Sequence, residues 1–401
     1  MNGNLEDRIR STLGHAATRA PRAPGGLATV VVSRSRRRRL RAQALTSAVA
    51  VAVVAIGVGV VIRGPGPVTV EPASPSEAVA SPATEPKPWT PATETVEQVW
   101  PDAVWRMPRK LAGDVEARPR VFLDDRTLLL ETWESHEKVD AIYAYDLVDG
   151  TSRKIASIST PKGVFASGFT PGSGRIIWMT YESGNMRLWS VPVEGGAPSE
   201  IHTDPPIRGI SDHLAIVGDR IVFSMADGGV YTLPLDGGTA TALPNGAGLH
   251  LLRWPWAGTP GHRTPNGEIA FQRLTNVETG ESALAAANPG EIMVRCGITM
   301  CSGIRPGGST GFARLRDGTQ DRDLPGPSYG GLAADRFMTV RRSRSSGQDL
   351  YDLRTGRSAD LGIRSDAKGE SVAVEPGMGD GRLLSYPLGD EYVIIDLARI
   401  P

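Results

Sequence analysis

Cys296 and Cys301 are the only cysteines in the chain, and four residues separate them. That spacing fits a hairpin whose ends face each other, bringing Cα atoms to the roughly 5.5 Å that a disulfide requires. A C-x-x-C redox role is disfavoured, because the spacing is wrong and no strand–helix–strand context surrounds the pair. Two cysteines also exclude a disulfide-built scaffold and a four-cysteine zinc site. Gly307-Gly308-Ser309-Thr310-Gly311 matches G-x-S-x-G, which activates a serine only on a strand-to-helix turn with Asp and His partners held by a hydrolase sheet. Here it lies between two short strand-like segments, and no residues remain for a separate hydrolase domain. It reads as a glycine-rich hairpin turn.

The histidines are His15, His136, His202, His213, His250 and His262, and none is spaced as H-x-x-x-H or H-E-x-x-H. No local zinc site follows, although ligands distant in sequence can still assemble one. Asp124, Asp125, Asp212, Asp227 and Asp335 sit near turn signals, where Asp caps backbone amides. No pair of them stands out for acid–base work on a glycosidic bond. Between Leu249 and Gly267, His250, Trp254, Trp256 and His262 offer an aromatic platform for a sugar or peptide. The plainer assignment is buried tryptophans beside a long turn. The sequence therefore assigns no catalytic residue, no cofactor and no metal ligand.

The elements that must position these groups are legible from composition. Hydrophobic residues make 40% and charged residues 22%, which excludes a disordered chain and a multi-span membrane protein. Gly and Pro together number 78 of 401, favouring a turn-rich β architecture. The formal net charge of zero hides an asymmetry: residues 1–41 hold ten Arg and two acids, a net of +8, so residues 42–401 carry −8.

Ala42 to Ile62 runs 21 residues without an ionisable side chain. As a helix this is about 30 Å, enough to cross the hydrocarbon core of a bilayer, where a single segment must be helical to satisfy its own amides. Arg34, Arg36, Arg37, Arg38, Arg39 and Arg41 precede it and only Arg63 follows closely, so the positive-inside rule places residues 1–41 in the cytoplasm and the rest outside. Ser35-Arg36-Arg37 with Leu40 resembles a twin-arginine export signal, but no A-x-A cleavage site ends the apolar stretch, which favours an uncleaved anchor. Within the tail, Leu5, Ile9 and Leu13 mark a short amphipathic helix. After the span, Gly64 to Pro91 contains eight prolines and no hydrophobic periodicity, the composition of a disordered, partly polyproline spacer.

The remainder repeats. Segments 143–147 (YAYDL), 189–193 (WSVPV), 231–235 (YTLPL), 274–277 (LTNV), 312–315 (FARL), 351–353 (YDL) and 395–397 (IDL) recur, and all but the last precede Gly. Their final residues, Leu147, Val193, Leu235, Val277, Leu315, Leu353 and Leu397, are separated by 46, 42, 42, 38, 38 and 44 residues. Alternating large apolar positions before Asp-Gly or Gly-Gly are strand and hairpin chemistry. A period near 42 is that of a four-stranded propeller blade, and seven instances predict a mainly β, seven-bladed β-propeller. Only four residues follow Leu397, too few for the outermost strand of the last blade. The stretch from Val104 to Leu111 is expected to supply it. The predicted organisation is a cytoplasmic basic tail (1–41), a transmembrane helix (42–62), a Pro-rich linker (63–95) and an extracytoplasmic propeller (96–401).

The segment 168–178 (GFTPGSGRIIW) resembles the F-S-P-D-G-x-x-I-A-F repeat of TolB-like and WD-repeat-like propellers, with Gly172 in place of the usual Asp. Anchor, spacer and propeller together resemble membrane-anchored propeller proteins of high-GC Gram-positive bacteria. The resemblance implies fold and single-pass topology and carries no catalytic residues to transfer. The expected function is a non-catalytic module binding a protein, peptide or cell-wall ligand, with the bilayer engaged through residues 42–62 and no nucleic acid. The alternatives are a hydrolase or lyase with a central-channel site, or a transmembrane sensor acting through its cytoplasmic helix. Outside the membrane thiols are oxidised, so a Cys296–Cys301 disulfide is expected in the fifth blade.

Overall fold

The computed structural model describes residues 90–135, 138–261, 268–308, 310–342, 347–364, 374 and 381–401. The basic tail, the span 42–62 and the spacer to residue 89 lie outside the described residues, as do His15, His136, His262 and Ser309. Among the described residues no helix is long and apolar enough to cross a membrane.

Among the described residues seven antiparallel sheets follow one another along the chain. Blade 1 is formed by Val115–Phe122, Thr127–Ser135, Lys138–Asp146 and Thr151–Ser157, with Lys110–Leu111 paired to its first strand. Blades 2 to 5 repeat the plan, so each consists of two consecutive hairpins. The recurring sequence segments fall on the third strands of blades 1 to 5, and on Gln348–Asp352 and Glu391–Asp396 in blades 6 and 7. Second strands are buried on both faces, as in Arg220–Met225, because each sheet is sandwiched between two neighbours. Outer strands such as Ser282–Leu284 are exposed. A hydrophobic cluster fills each boundary between neighbours: Leu129 and Ile142 of blade 1 meet Ile176 and Trp178 of blade 2, and Ile177 and Leu188 of blade 2 meet Leu214 and Phe223 of blade 3. The fold is a seven-bladed β-propeller whose core is divided into wedges.

The ring closes through the N-terminal side of the domain. Val104–Pro108 pairs antiparallel with Glu391–Asp396, setting Met107 opposite Tyr392 and Val104 opposite Ile395. The closing strand stops at Pro108 rather than running on to Leu111, whose segment turns back into blade 1. Just upstream, Thr95 bridges Asp360 at the outer strand of blade 6, and the helical turn Val96–Val99 buries Val96 and Val99 in the cluster between blades 6 and 7. Two sheet edges are thereby covered by one stretch of chain, which removes templates for aggregation.

A repeated ion pair ties the hairpins. An Arg immediately before a second strand meets the Asp that ends the following strand: Arg126–Asp146 at 2.5 Å, Arg336–Asp352 at 2.6 Å and Arg382–Asp396 at 2.8 Å. The same Asp accepts backbone N–H groups of the next turn, from Val148 and Asp149, Arg354, and Ala398 respectively. Burial alone would raise the Asp352 carboxyl, but Arg336, the Thr355 hydroxyl and the Arg354 N–H outweigh it and hold it below its ordinary range.

A cleft between blades 1 and 2

Where the inner strand of blade 1 approaches that of blade 2, a cleft of about 560 Å³ opens, lined by Arg120, Glu131, Trp133, Phe165, Ser167 and Phe169 among others. Irregular strand pairing builds it. In the inner strand Val115–Phe122, the register shifts between Pro119 and Val121, leaving Arg120 without a ladder partner. Trp133 sits between two register shifts in the pairing of Thr127–Ser135 with Lys138–Asp146. In blade 2, the shift between Ser167 and Thr170 leaves Gly168 and Phe169 unpaired in the ladder. Gly168 adopts φ +73°, and a Cβ there would sit 3.2 Å from the Leu214 side chain, so the position requires Gly. Bulges re-aim side chains out of the sheet alternation. The inner strands of blades 3, 4 and 5 carry them too.

The cleft pairs aromatic surface with charge. Phe165 is 37% exposed at its rim, and Phe169 stacks on Trp178 at 5.4 Å between ring centres, fixing one wall to the hydrophobic wedge beneath. The Arg118 and Arg120 guanidinium carbons lie 5.0 and 5.6 Å from the centre of the Trp133 ring. Such stacking is worth about 0.5–2 kcal/mol and leaves the guanidinium edge free to donate. Glu131, only 4% exposed, receives Arg120 Nε at 2.6 Å. Burial pushes its carboxyl above the ordinary range, and the nearby Arg120 only partly offsets this. Arg118 makes no hydrogen bond or ion pair with the described residues and points its charge over the Trp133 ring. Arg120 and Glu131 line the cleft as a pair, and Arg118 adds a second guanidinium beside Trp133.

The residues singled out from sequence are dispersed. Cys296 and Cys301 face each other as register partners in blade 5, Cα atoms 4.0 Å apart, joined by a disulfide and fully buried. Gly307 and Gly308 occupy a turn between Met300–Ile304 and Gly311–Leu315, closed by Arg305 N–H donating to Thr310 O at 2.7 Å, with no helix following. Trp254 packs in the wedge between blades 3 and 4 and Trp256 beside Phe271, while His250 lies at the far end of the strand His250–Arg253. The described members of the aromatic platform are therefore not brought together. Asp124 caps a turn through the Arg126 and Thr127 N–H groups, as a turn carboxylate should, whereas Asp335 accepts the Thr299 N–H and hydroxyl from the neighbouring blade.

Asp125 and Asp212 depart from that expectation. Asp125 pairs with Arg382 across the ring seam at 2.9 Å. Asp212 contacts His250 Nδ1 at 2.6 Å and accepts the Ser224 hydroxyl at 2.5 Å, while Ser224 Oγ accepts the Leu251 N–H. Here Asp lies between Ser and His, so the imidazole cannot take the serine proton, and Ser224 is fully buried. The trio latches blade 3 to blade 4. Among the described residues no group of three or more His, Cys, Asp or Glu is placed to hold a metal ion.

Little in the sequence marks the cleft. Its one signal is Arg118-Pro119-Arg120: proline lacks the N–H of a regular ladder, and its presence in an inner strand marks a bulge.

No protein-family model matches the chain, and no curated protein matches it. Solved structures overlap it loosely. A structure of YCF48 from Cyanidioschyzon merolae is 9% identical over 73% of this chain and 99% of its own, with a TM-score of 0.45. YCF48 bound to D1 peptide is 10% identical over 73% and 97%, at 0.44. The WD40 β-propeller domain of Doa1 is 10% identical over 74% and 99%, at 0.38. The blade count rests on the seven sheets of the chain itself.

Proposed function

We propose that the protein is a membrane-tethered, extracytoplasmic binding module whose ligand site is the cleft between blades 1 and 2. The observation that carries this is the grouping of Trp133, Phe165 and Phe169 with Arg120 and Glu131 around about 560 Å³ of open volume. Ligand pockets typically hold about 300–1,000 Å³, and aromatic and Arg side chains are the usual anchors of binding energy. The tether is supported by the 21 residues from Ala42 to Ile62, none of them ionisable, and the arginines before them. A propeller suits this role because its ring is rigid and the irregular inner strands present groups at its surface.

The test is selection of random peptides displayed on phage against the full-length protein. An enriched motif whose binding falls at least tenfold in Phe165→Ala, with the fold intact by circular dichroism, supports the site. No enrichment, or enrichment indifferent to cleft substitutions, refutes it. Protease added to intact, wall-stripped cells should remove a C-terminal epitope and spare an N-terminal one; the reverse would overturn the topology.

A further inference from the structure

Resting on that reading of the cleft, we infer that its partner is an acidic peptide segment presenting a carboxylate beside an aromatic side chain. Arg118 is the deciding residue. It does not line the cleft itself, but its guanidinium stands 5.0 Å over the ring of Trp133, which does, and among the described residues it has no hydrogen-bond or ion-pair partner. Arg120 is engaged differently, because its Nε is held by Glu131 at 2.6 Å. One guanidinium is therefore committed to the site's own carboxylate. The other is half-buried, oriented by a ring and available. A planar guanidinium fixed by stacking loses little freedom when a carboxylate docks on its edge, and it matches that group in a two-bond geometry.

The apolar part of the ligand follows from the other wall. Phe165, exposed at the rim, and Phe169, stacked on Trp178, offer ring surface within the same cleft as the charge. Arg120, Gly168 and Phe169 have no ladder partners, and the Gly168 carbonyl accepts the Thr170 hydroxyl at 3.0 Å. Besides Val139, Ala166 and aromatic carbon, the lining carries Ser167, Arg120 and the buried Glu131. A peptide with an acidic and an aromatic side chain satisfies both the guanidinium and the aromatic wall.

The experiment uses full-length protein in detergent and isothermal titration with synthetic heptapeptides. The probes carry a central Phe-Asp, Phe-Asn or Phe-Lys pair with both ends blocked, and a fourth ends in Phe with a free C-terminal carboxylate. Blocked Phe-Asp should bind about tenfold more tightly than Phe-Asn, the value of one charge-assisted contact, and lose that preference as salt rises. Arg118→Ala should abolish the preference, bringing the Phe-Asp and Phe-Asn affinities together, and Arg118→Lys should restore part of it. Tighter binding of the free C-terminus assigns the carboxylate to a chain end instead of a side chain. Binding of all aromatic peptides without regard to charge, insensitive to Arg118, overturns the inference and leaves the binding cleft standing. No binding by any probe, with phage enrichment also absent, overturns both.

Discussion

Closure of the ring by Val104–Pro108 yields a sharp test. Met107 is fully buried and hydrogen-bonded through its strand to blade 7, yet its side chain lies among Leu111, Leu128 and Leu130 of blade 1 as well as Tyr392 and Ile394. Met107→Ala removes that wedge from the seam. Large-to-small changes of this kind cost about 2–5 kcal/mol, the transfer term plus the cavity left behind. With an unfolding entropy of about 2.1 cal/mol/K per residue, a propeller of roughly 310 residues should melt about 3–8 °C lower. Leu128→Ala, in the same cluster but inside blade 1, should cost as much. The two differ in where amides open. Met107→Ala should accelerate hydrogen exchange in Glu391–Asp396, which loses its outer partner when the seam breathes, whereas Leu128→Ala should not. A loss below about 1 kcal/mol, or equal exchange in the two variants, would refute closure by this strand as a stabilising device.

The remaining predictions concern charge and the disulfide. Cys296→Ser opens a short loop, so chain entropy predicts a loss of about 2 kcal/mol and a melting temperature about 3 °C lower, with the double Ser variant the same as either single one; additive losses would show that packing dominates. Arg336→Ala leaves the fully buried Asp352 without its partner and should cost about 3–5 kcal/mol, partly recovered by adding Asp352→Asn. Asp352, Asp360 and Glu291 are held below their ordinary values, so their stabilisation is present above about pH 4 and is lost as pH falls through the depressed values, which chemical denaturation at pH 3 and 7 will measure. Glu131 runs the other way: its raised carboxyl favours folding when protonated, and that contribution disappears as pH rises through its folded value. Glu131→Gln should thus raise the melting temperature at pH 8 relative to the parent and leave it unchanged at pH 4. A uniform effect at both values would contradict the burial of this group.

Much of the architecture is local, and local order is what a sequence records. Segments such as 143–147 and 231–235 read as strands because alternate burial on a pleated surface fixes alternate residue types, and the turns after them need Gly or Asp. Repetition at a near-constant spacing then determines blade number, since each sheet buries its two faces only against copies of itself. The shortage of residues after Leu397 likewise foretold a closing strand from upstream. The arginines before second strands were visible as Asp-Arg or Gly-Arg pairs, but their partners lie 14 to 20 residues away at the ends of other strands.

The cleft belongs to tertiary structure alone. Arg120 comes from one strand, Glu131 and Trp133 from the next and Phe165 from a loop, and no spacing rule joins the three segments. Their meeting depends on register shifts, and a bulge of one residue turns a side chain to the other face without altering the apolar pattern. The same holds for Asp212, which its neighbours present as a turn residue and which the packing of blade 3 on blade 4 makes a latch for His250. Sequence determined the repeating unit because propensity and alternation act over a few residues. Only the ring decided which of those units stand side by side, because contact between distant strands is set by blade packing.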